Sequence, residues 1–318
     1  MKETLPGLLF PHADPGKFVQ RISHPAMATI FEIWIHDPGT DYARQAAREA
    51  FEELVRLESE LSRYIETSDI SRVNQAFPGQ AVRIGLEAFE CLKECARLYA
   101  DTHQLFDITL GNRIDPWKHP RRSVAPFSAP AQPVPIPHRP FPLALNEAGH
   151  TVCWNEEGHI LDLGGIGKGY AIGRMAEKLR EWEIDSALIH GGFSTVQALN
   201  PPPGLAGWPV ALRDPRTGSV LRMIQLNNQS ISGSGLRQGP HIIDPRTGNP
   251  VTGNRAAWAM APRAAVADAL STTFMIMTKD EIRRFCQSHP GTEAWIMEEE
   301  NIWCAEDESG NAIYGRSQ

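Results

Sequence analysis

The sequence predicts an α+β fold. Three observations carry this. Strand-like alternation and helix-like periodicity both occur along the chain. They mix without the regular strand–helix–strand repeat of a doubly wound sheet. The 318 residues suffice for one large domain or two ordinary ones.

Residues 1–25 read as an N-terminal extension, ahead of a domain spanning 26–318. The first strong signal is IFEIWI (Ile30 to Ile35), which alternates like a strand. Asp41 to Leu61 reads as an amphipathic helix, with Ala43, Ala47, Ala50, Leu54, Leu57 and Leu61 on one stripe. The next stretch, SRYIETSDISRVNQAFPG, is polar and turn-rich. A second helix is expected from Leu86 to Tyr99, carrying Phe89, Leu92 and Ala96. Residues 115–142 are Pro-rich and read as a linker or an extended surface loop.

Beyond that loop, a strand is expected at Gly158 to Leu163, then a glycine-rich turn, then a helix to about Trp182. A strand (Ser186 to His190), a hairpin-like pair (Pro209 to Arg213 and Val220 to Leu226), a glycine–serine loop and a helix (Ala264 to Met277) complete the pattern. The pentapeptide DPRTG occurs twice, at Asp214 and Asp244. The first copy falls between two expected strands and reads as a β-turn.

Composition narrows the function classes. The apolar share of 42% is ordinary for a soluble globular protein, and no apolar run is long enough to span a bilayer. A net charge of −7 without a basic stripe argues against nucleic acid as the main partner. The five cysteines are scattered and show neither a disulfide framework nor zinc spacing. The first residues do not read as a signal peptide, because Pro6 and Pro11 break a short apolar segment, and no lipid-attachment cysteine is near. The expectation is a cytoplasmic setting, with export in a longer precursor left open.

Five segments could carry chemistry. LDLGGIGKGYAIGR (161–174) leads from an apolar run into a glycine cluster holding Lys168. It fits neither a Walker A motif nor a dinucleotide fingerprint. It can still be an anion-binding helix start, or only a tight turn with a solvated lysine. HIIDPRTGNP (241–250) offers His241 as a general base, with Asp244 to orient it or bind a metal, or merely a turn bonding its own backbone. ADALSTTF (267–274) sets Asp268 and Thr272 four residues apart on one helix face. They are hard oxygen ligands suited to Mg²⁺ or Mn²⁺, or an acidic residue near a helix start and a packed threonine. SISGSG (230–235) and LFDITLG (105–111) could hug a ligand or could be plain turns and strand ends.

Together and in this order, AMAT (26–29), SRYIETSDISRVN (62–74), LFDITLG, LDLGGIGKGYAIGR, ALIHGG (187–192), SISGSG, HIIDPRTGNP and ADALSTT resemble the ApbE family, the FAD:protein FMN transferases. The resemblance runs from about residue 26 to residue 278. It implies a single elaborate α+β domain of T-fold-like type with FAD in a central cleft and Mg²⁺ as cofactor. It implies cleavage of the FAD pyrophosphate, release of AMP, and a phosphoester from FMN to a Thr or Ser of an acceptor protein. Carried over by position, Asp268, Thr272 and a backbone carbonyl of Gly165 would bind the metal. Met27, Tyr64, Leu105, Phe106, Asp107, Asp162, Lys168 and Ile242 would contact FAD. His241 would activate the acceptor hydroxyl, with Asp244 supporting it or approaching the metal. A FAD pyrophosphatase and a non-catalytic FAD-binding protein are the competing readings.

The chain departs from the family pattern at four places. Ala28 stands for a glycine, Ser234 and Gly235 for Asp-Tyr, Pro240 for a histidine, and Phe193 for a polar residue.

Overall fold

A computed structural model describes residues 8–9, 19–36, 39–118, 139–192, 194–236, 239, 241–253, 255–298 and 301–305. Most of the Pro-rich stretch, much of the N-terminal extension, Phe193 and Pro240 lie outside them. The chain forms two compact units. One takes Met1–Arg56, Lys168–Gly235 and Asn254–Gln318; the other takes Leu57–Gly167 and Leu236–Gly253.

In chain order the elements begin with β1 (Leu8–Leu9), β2 (Val19–Ala26), β3 (Thr29–His36) and α1 (Thr40–Leu61). Next come α2 (Asp69–Asn74), β4 (Val82–Arg83), α3 (Leu86–Asp101) and α4 (Gly111–Lys118). Then β5 (Leu143–Asn146), β6 (Thr151–Trp154), α5 (Gly167–Glu181), β7 (Ala187–Gly191) and β8 (Thr195–Ala198) follow. The last are β9 (Trp208–Arg213), β10 (Val220–Leu226), β11 (Ser230–Gly235), β12 (Arg255–Ala261), α6 (Ala264–Phe274), α7 (Lys279–Ser288), β13 (Glu293–Glu298) and β14 (Asn301–Cys304).

The first unit is built on an antiparallel sheet ordered β14-β13-β12-β11-β8-β7-β3-β2. Its two faces differ in chemistry because side chains alternate along each strand. On one face Leu188, Val196, Ala198, Ile231, Ala256, Trp258, Met260, Trp295 and Met297 form a core with Trp208, Val210 and Leu226 of the smaller β1-β9-β10 sheet. On the other face β8 and β11 present Thr195, Gln197, Ser230, Ser232 and Ser234, and α6 packs there.

The glycine–serine segment is therefore strand β11, not a loop. Its S-x-S-x-S alternation aims the serines at α6 and sets Ile231 against the apolar core. A Cβ on Gly233 would come within 2.7 Å of the Trp258 indole, so the glycine makes room for that ring.

The second unit carries α2, α3, α4 and the antiparallel sheet β4-β6-β5. Two expectations are corrected here. The polar segment after Leu61 contains helix α2, which Ser68 caps by accepting from the Ser71 N–H at 3.0 Å. Residues 158–163 form no strand; they contribute one isolated parallel bridge, Leu110 with Ile160, and then turn.

The remaining expected elements form within a few residues of their predicted bounds, and the mixed α+β class holds. No described helix is long and apolar enough to cross a membrane.

Candidate functional site

Asp268 is the centre of a buried polar cluster in the first unit. It lies in the second turn of α6 and is 4% exposed. Its Oδ1 accepts from Thr195 Oγ1 and from Ser232 Oγ, each at 3.0 Å. Its Oδ2 accepts the backbone N–H of Gly169 at 2.9 Å and lies 4.0 Å from the Lys168 ammonium. A carboxylate offers about four acceptor positions, so three are filled by protein and the fourth lies on the Lys168 side.

The glycine-rich turn thus starts a helix whose amino terminus points at a carboxylate. Exposed N–H groups and the helix dipole favour a negative charge there. Gly169 is required by close approach: a Cβ would sit 2.3 Å from the Ala264 carbonyl oxygen and 2.7 Å from Asp268 Cβ.

Beside Asp268 the hydroxyls continue. Ser234 Oγ lies 2.8 Å from Ser271 Oγ and 3.2 Å from Thr272 Oγ1. Ser271 also donates to the Asp268 carbonyl at 2.9 Å. Asp268, Thr272, Ser234, Ser232 and Thr195 make an all-oxygen donor set. Among the described residues no group of three or more His, Cys, Asp or Glu could hold a metal. One carboxylate among hydroxyls suits a hard cation that completes its shell with water and substrate phosphate, which is how Mg²⁺ is commonly held. The residues present fit that ion.

In the second unit, Asp162 is buried and accepts from the Gly164 N–H at 2.7 Å, with Arg63 Nε 3.4 Å from its other oxygen. Asn74 grips Leu161 on both sides, accepting its N–H at 2.7 Å and donating to its carbonyl at 3.2 Å. Gly165 lies in the turn that follows. Tyr64 is exposed, and Leu105, Phe106 and Ile242 are buried. Asp107 accepts from the Thr109 N–H and hydroxyl at 2.8 and 2.6 Å, and Arg139 reaches both residues, at 3.4 and 3.0 Å.

His241 Nδ1 lies 2.8 Å from the Gly239 carbonyl. A carbonyl only accepts, so Nδ1 carries the proton and the neutral ring keeps its lone pair on Nε2. Asp244 accepts from the Arg246 N–H at 2.9 Å and from its guanidinium at 3.1 Å. The first DPRTG copy folds alike: Asp214 takes the Arg216 N–H at 2.8 Å and its guanidinium at 3.1 Å. The same five residues fold the same way twice, and in both copies the aspartate anchors its own turn.

Met27 and Ala28 form the turn between β2 and β3, both in the left-handed region with φ of 48° and 57°.

The ApbE family model matches residues 27–296. The chain belongs to the ApbE family. Among similar ApbE proteins, the FAD:protein FMN transferase of Haemophilus influenzae is 25% identical over 284 residues, covering 82% of this chain and 81% of that protein. That of Escherichia coli K12 is 26% identical over 279 residues, covering 78% and 77%. In fold, the ApbE protein of Thermotoga maritima superposes with a TM-score of 0.76 at 23% identity, over 91% of this chain and 97% of that one. The flavin transferase ApbE of Vibrio cholerae gives 0.74 at 21%, over 90% and 96%.

Within the ApbE frame, the sequence singled out Asp268, Thr272 and Lys168, and the structure brings Lys168 to Asp268. It missed Thr195, Ser232 and Ser271, which complete the cluster. The S-x-S-x-S period was the available signal for Ser232; a threonine after a glycine pair gave none.

A second buried cluster was also missed. Glu32 on β3 accepts from Arg21 at 2.6 and 2.9 Å, from Trp34 Nε1 at 3.3 Å, and lies 2.9 Å from His190 Nε2. Burial pushes the Glu32 carboxyl up, but His190, Arg21 and Trp34 together outweigh it and hold it down at about 2.

Proposed function

We infer that this ApbE chain is a FAD:protein FMN transferase. The reading rests on the relatives that carry this activity and on one observation above all. Asp268 is buried among hydroxyls, with Lys168 and the amino terminus of α5 turned toward it.

FAD is the donor and a protein the acceptor; we take the acceptor group to be a Thr or Ser hydroxyl. Asp268 and Thr272 would hold Mg²⁺, with the Gly165 backbone carbonyl as a further ligand. When bound, that ion supplies charge neutralisation on pyrophosphate oxygens. Lys168 supplies a further positive charge for the phosphates. Met27, Tyr64, Leu105, Phe106, Asp107, Asp162 and Ile242 are the residues assigned to holding the flavin nucleotide. The acceptor oxygen forms a bond to the FMN phosphorus as the bond from that phosphorus to the bridging oxygen breaks, and AMP leaves. His241 Nε2 takes the proton that the hydroxyl loses.

The test mixes the chain with FAD, Mg²⁺ and a protein bearing an exposed Thr acceptor, and reads acceptor mass and AMP together. Acceptor gaining FMN with AMP released is expected. AMP with free FMN and an unmodified acceptor would instead assign a pyrophosphatase, and FAD binding without either product a carrier. Asp268→Ala is expected to abolish Mg²⁺-dependent turnover while FAD still binds, more weakly. Undiminished turnover removes the metal assignment.

A further inference from the structure

Three motifs that lie far apart in the sequence meet at one guanidinium. Arg63 comes from the SRY segment, and its side chain is 7% exposed. Its Nε is 3.4 Å from Asp162 Oδ2, in the stretch leading to the glycine turn. Its guanidinium carbon lies 5.0 Å from the centre of the Tyr64 ring, and Nη2 donates to the Tyr64 hydroxyl at 3.4 Å. Gly111, the last residue of LFDITLG, leaves space for it: a Cβ there would be 2.6 Å from Arg63 Nη1 and 2.8 Å from the Ile160 carbonyl oxygen.

The backbone around Arg63 is also tied down. Ser71 Oγ donates to the Arg63 carbonyl at 3.0 Å, and Ser68 Oγ to the Ser62 carbonyl at 2.7 Å.

Burying a guanidinium is costly unless it is paired and hydrogen-bonded. Here the cation pairs with a buried carboxylate, Nε to Oδ2 at 3.4 Å, and also lies against an aromatic ring, which the compact charge of a lysine cannot do at once. Tyr64 itself is 58% exposed, so the ring offers its remaining surface to solvent or to a ligand.

We propose that Arg63 is a positioning residue for FAD binding, holding the Tyr64 ring and the Asp162 carboxylate in one fixed relation. This rests on the reading that Tyr64 and Asp162 contact the flavin nucleotide. Arg63 acts through two residues that reach the nucleotide, so it affects binding of FAD and not the chemical step.

The test uses the full chain and FAD itself. Arg63→Met is expected to raise the Kd for FAD, read by flavin fluorescence, about 10-fold, because both partners lose a charge-assisted contact. KM should rise in step while kcat stays within about 2-fold. Adding Asp162→Asn to Arg63→Met should cost little further affinity, since the two act as one unit. Arg63→Lys should recover only part of the loss, and it carries the test alone if Arg63→Met is not obtained folded.

Unchanged FAD affinity in the Arg63 variants overturns the proposal, as do strictly additive losses in the double variant. Tyr64→Ala and Asp162→Asn separate this from the underlying reading. If both weaken FAD binding while Arg63→Met does not, only the role of Arg63 falls. If neither weakens it, the placement of FAD at these residues falls, and the proposal with it.

Discussion

The backbone N–H of Gly169 donates to the carboxylate of Asp268 at 2.9 Å, tying the first turn of α5 to α6 across 99 residues of chain. A turn that reads as a phosphate cradle thus holds a protein carboxylate against a helix amino terminus. Two helices must approach closely for this, and Gly169 is the residue that lets them.

Gly169→Ala should destabilise the protein by about 2–3 kcal/mol, because backbone atoms of Ala264 cannot step aside for a methyl group. Helix propensity alone predicts the opposite sign, a gain of about 1 kcal/mol. Urea unfolding decides between them, and an unchanged or higher midpoint would remove the close-approach argument.

Ala28→Gly should stabilise the protein by roughly 0.5–1 kcal/mol. Ala28 holds φ at 57°, where a Cβ is strained, and relief of that strain exceeds the extra chain entropy of glycine. A thermal melt checks this. A lower Tm would mean that the turn tolerates the methyl group without strain.

Glu32→Gln should cost stability at neutral pH and progressively less in acid. The folded carboxyl sits at about 2 against an ordinary 4.5, so ionised Glu32 favours the folded state. That contribution is complete above pH 4.5 and is lost as pH falls toward 2. It amounts to on the order of 2 kcal/mol when full. Stability of both proteins measured from pH 7 down to pH 3 should show the gap closing. A gap independent of pH would make the cluster a packing feature only.

Asp214→Ala and Asp244→Ala should lower stability by similar amounts, about 1 kcal/mol each, since both release the same turn. Only Asp244→Ala should also slow FMN transfer, because its turn follows His241 by three residues. Equal effects on transfer would detach the second turn from the chemistry.

How much was legible follows from where the information lies. Helix α1 and strand β3 declare themselves because their apolar periods match one buried face each. Asp268 and Thr272 were legible because four-residue spacing fixes a helix face. Ser232 and Ser234 were hidden by composition: glycine and serine suggest a loop, yet β8 and β12 pair with the segment on both sides and make it a central strand. Strand β12, RAAWAMA, escaped for the same reason. Its alanines are poor strand formers, but small residues are what the face beneath α6 admits. Residues 158–163 erred the other way. Leu161 and Leu163 are buried, but the backbone here is held by Asn74 and one isolated bridge to Leu110, without any ladder.

The order of synthesis gives the β3–β7 pairing a further meaning. Phe31 pairs with Gly191 in that ladder, and the chain makes most of its second unit between them. At about 5–20 residues per second, the β2–β3 hairpin waits on the order of ten seconds for its neighbour to exist. During that time one edge of β3 has no partner strand, and Phe31, Ile33 and Ile35 have lost nothing of their appetite for one. The newly made chain therefore carries an unpaired strand edge on its first hairpin well before Asp268 and Thr272 have been made.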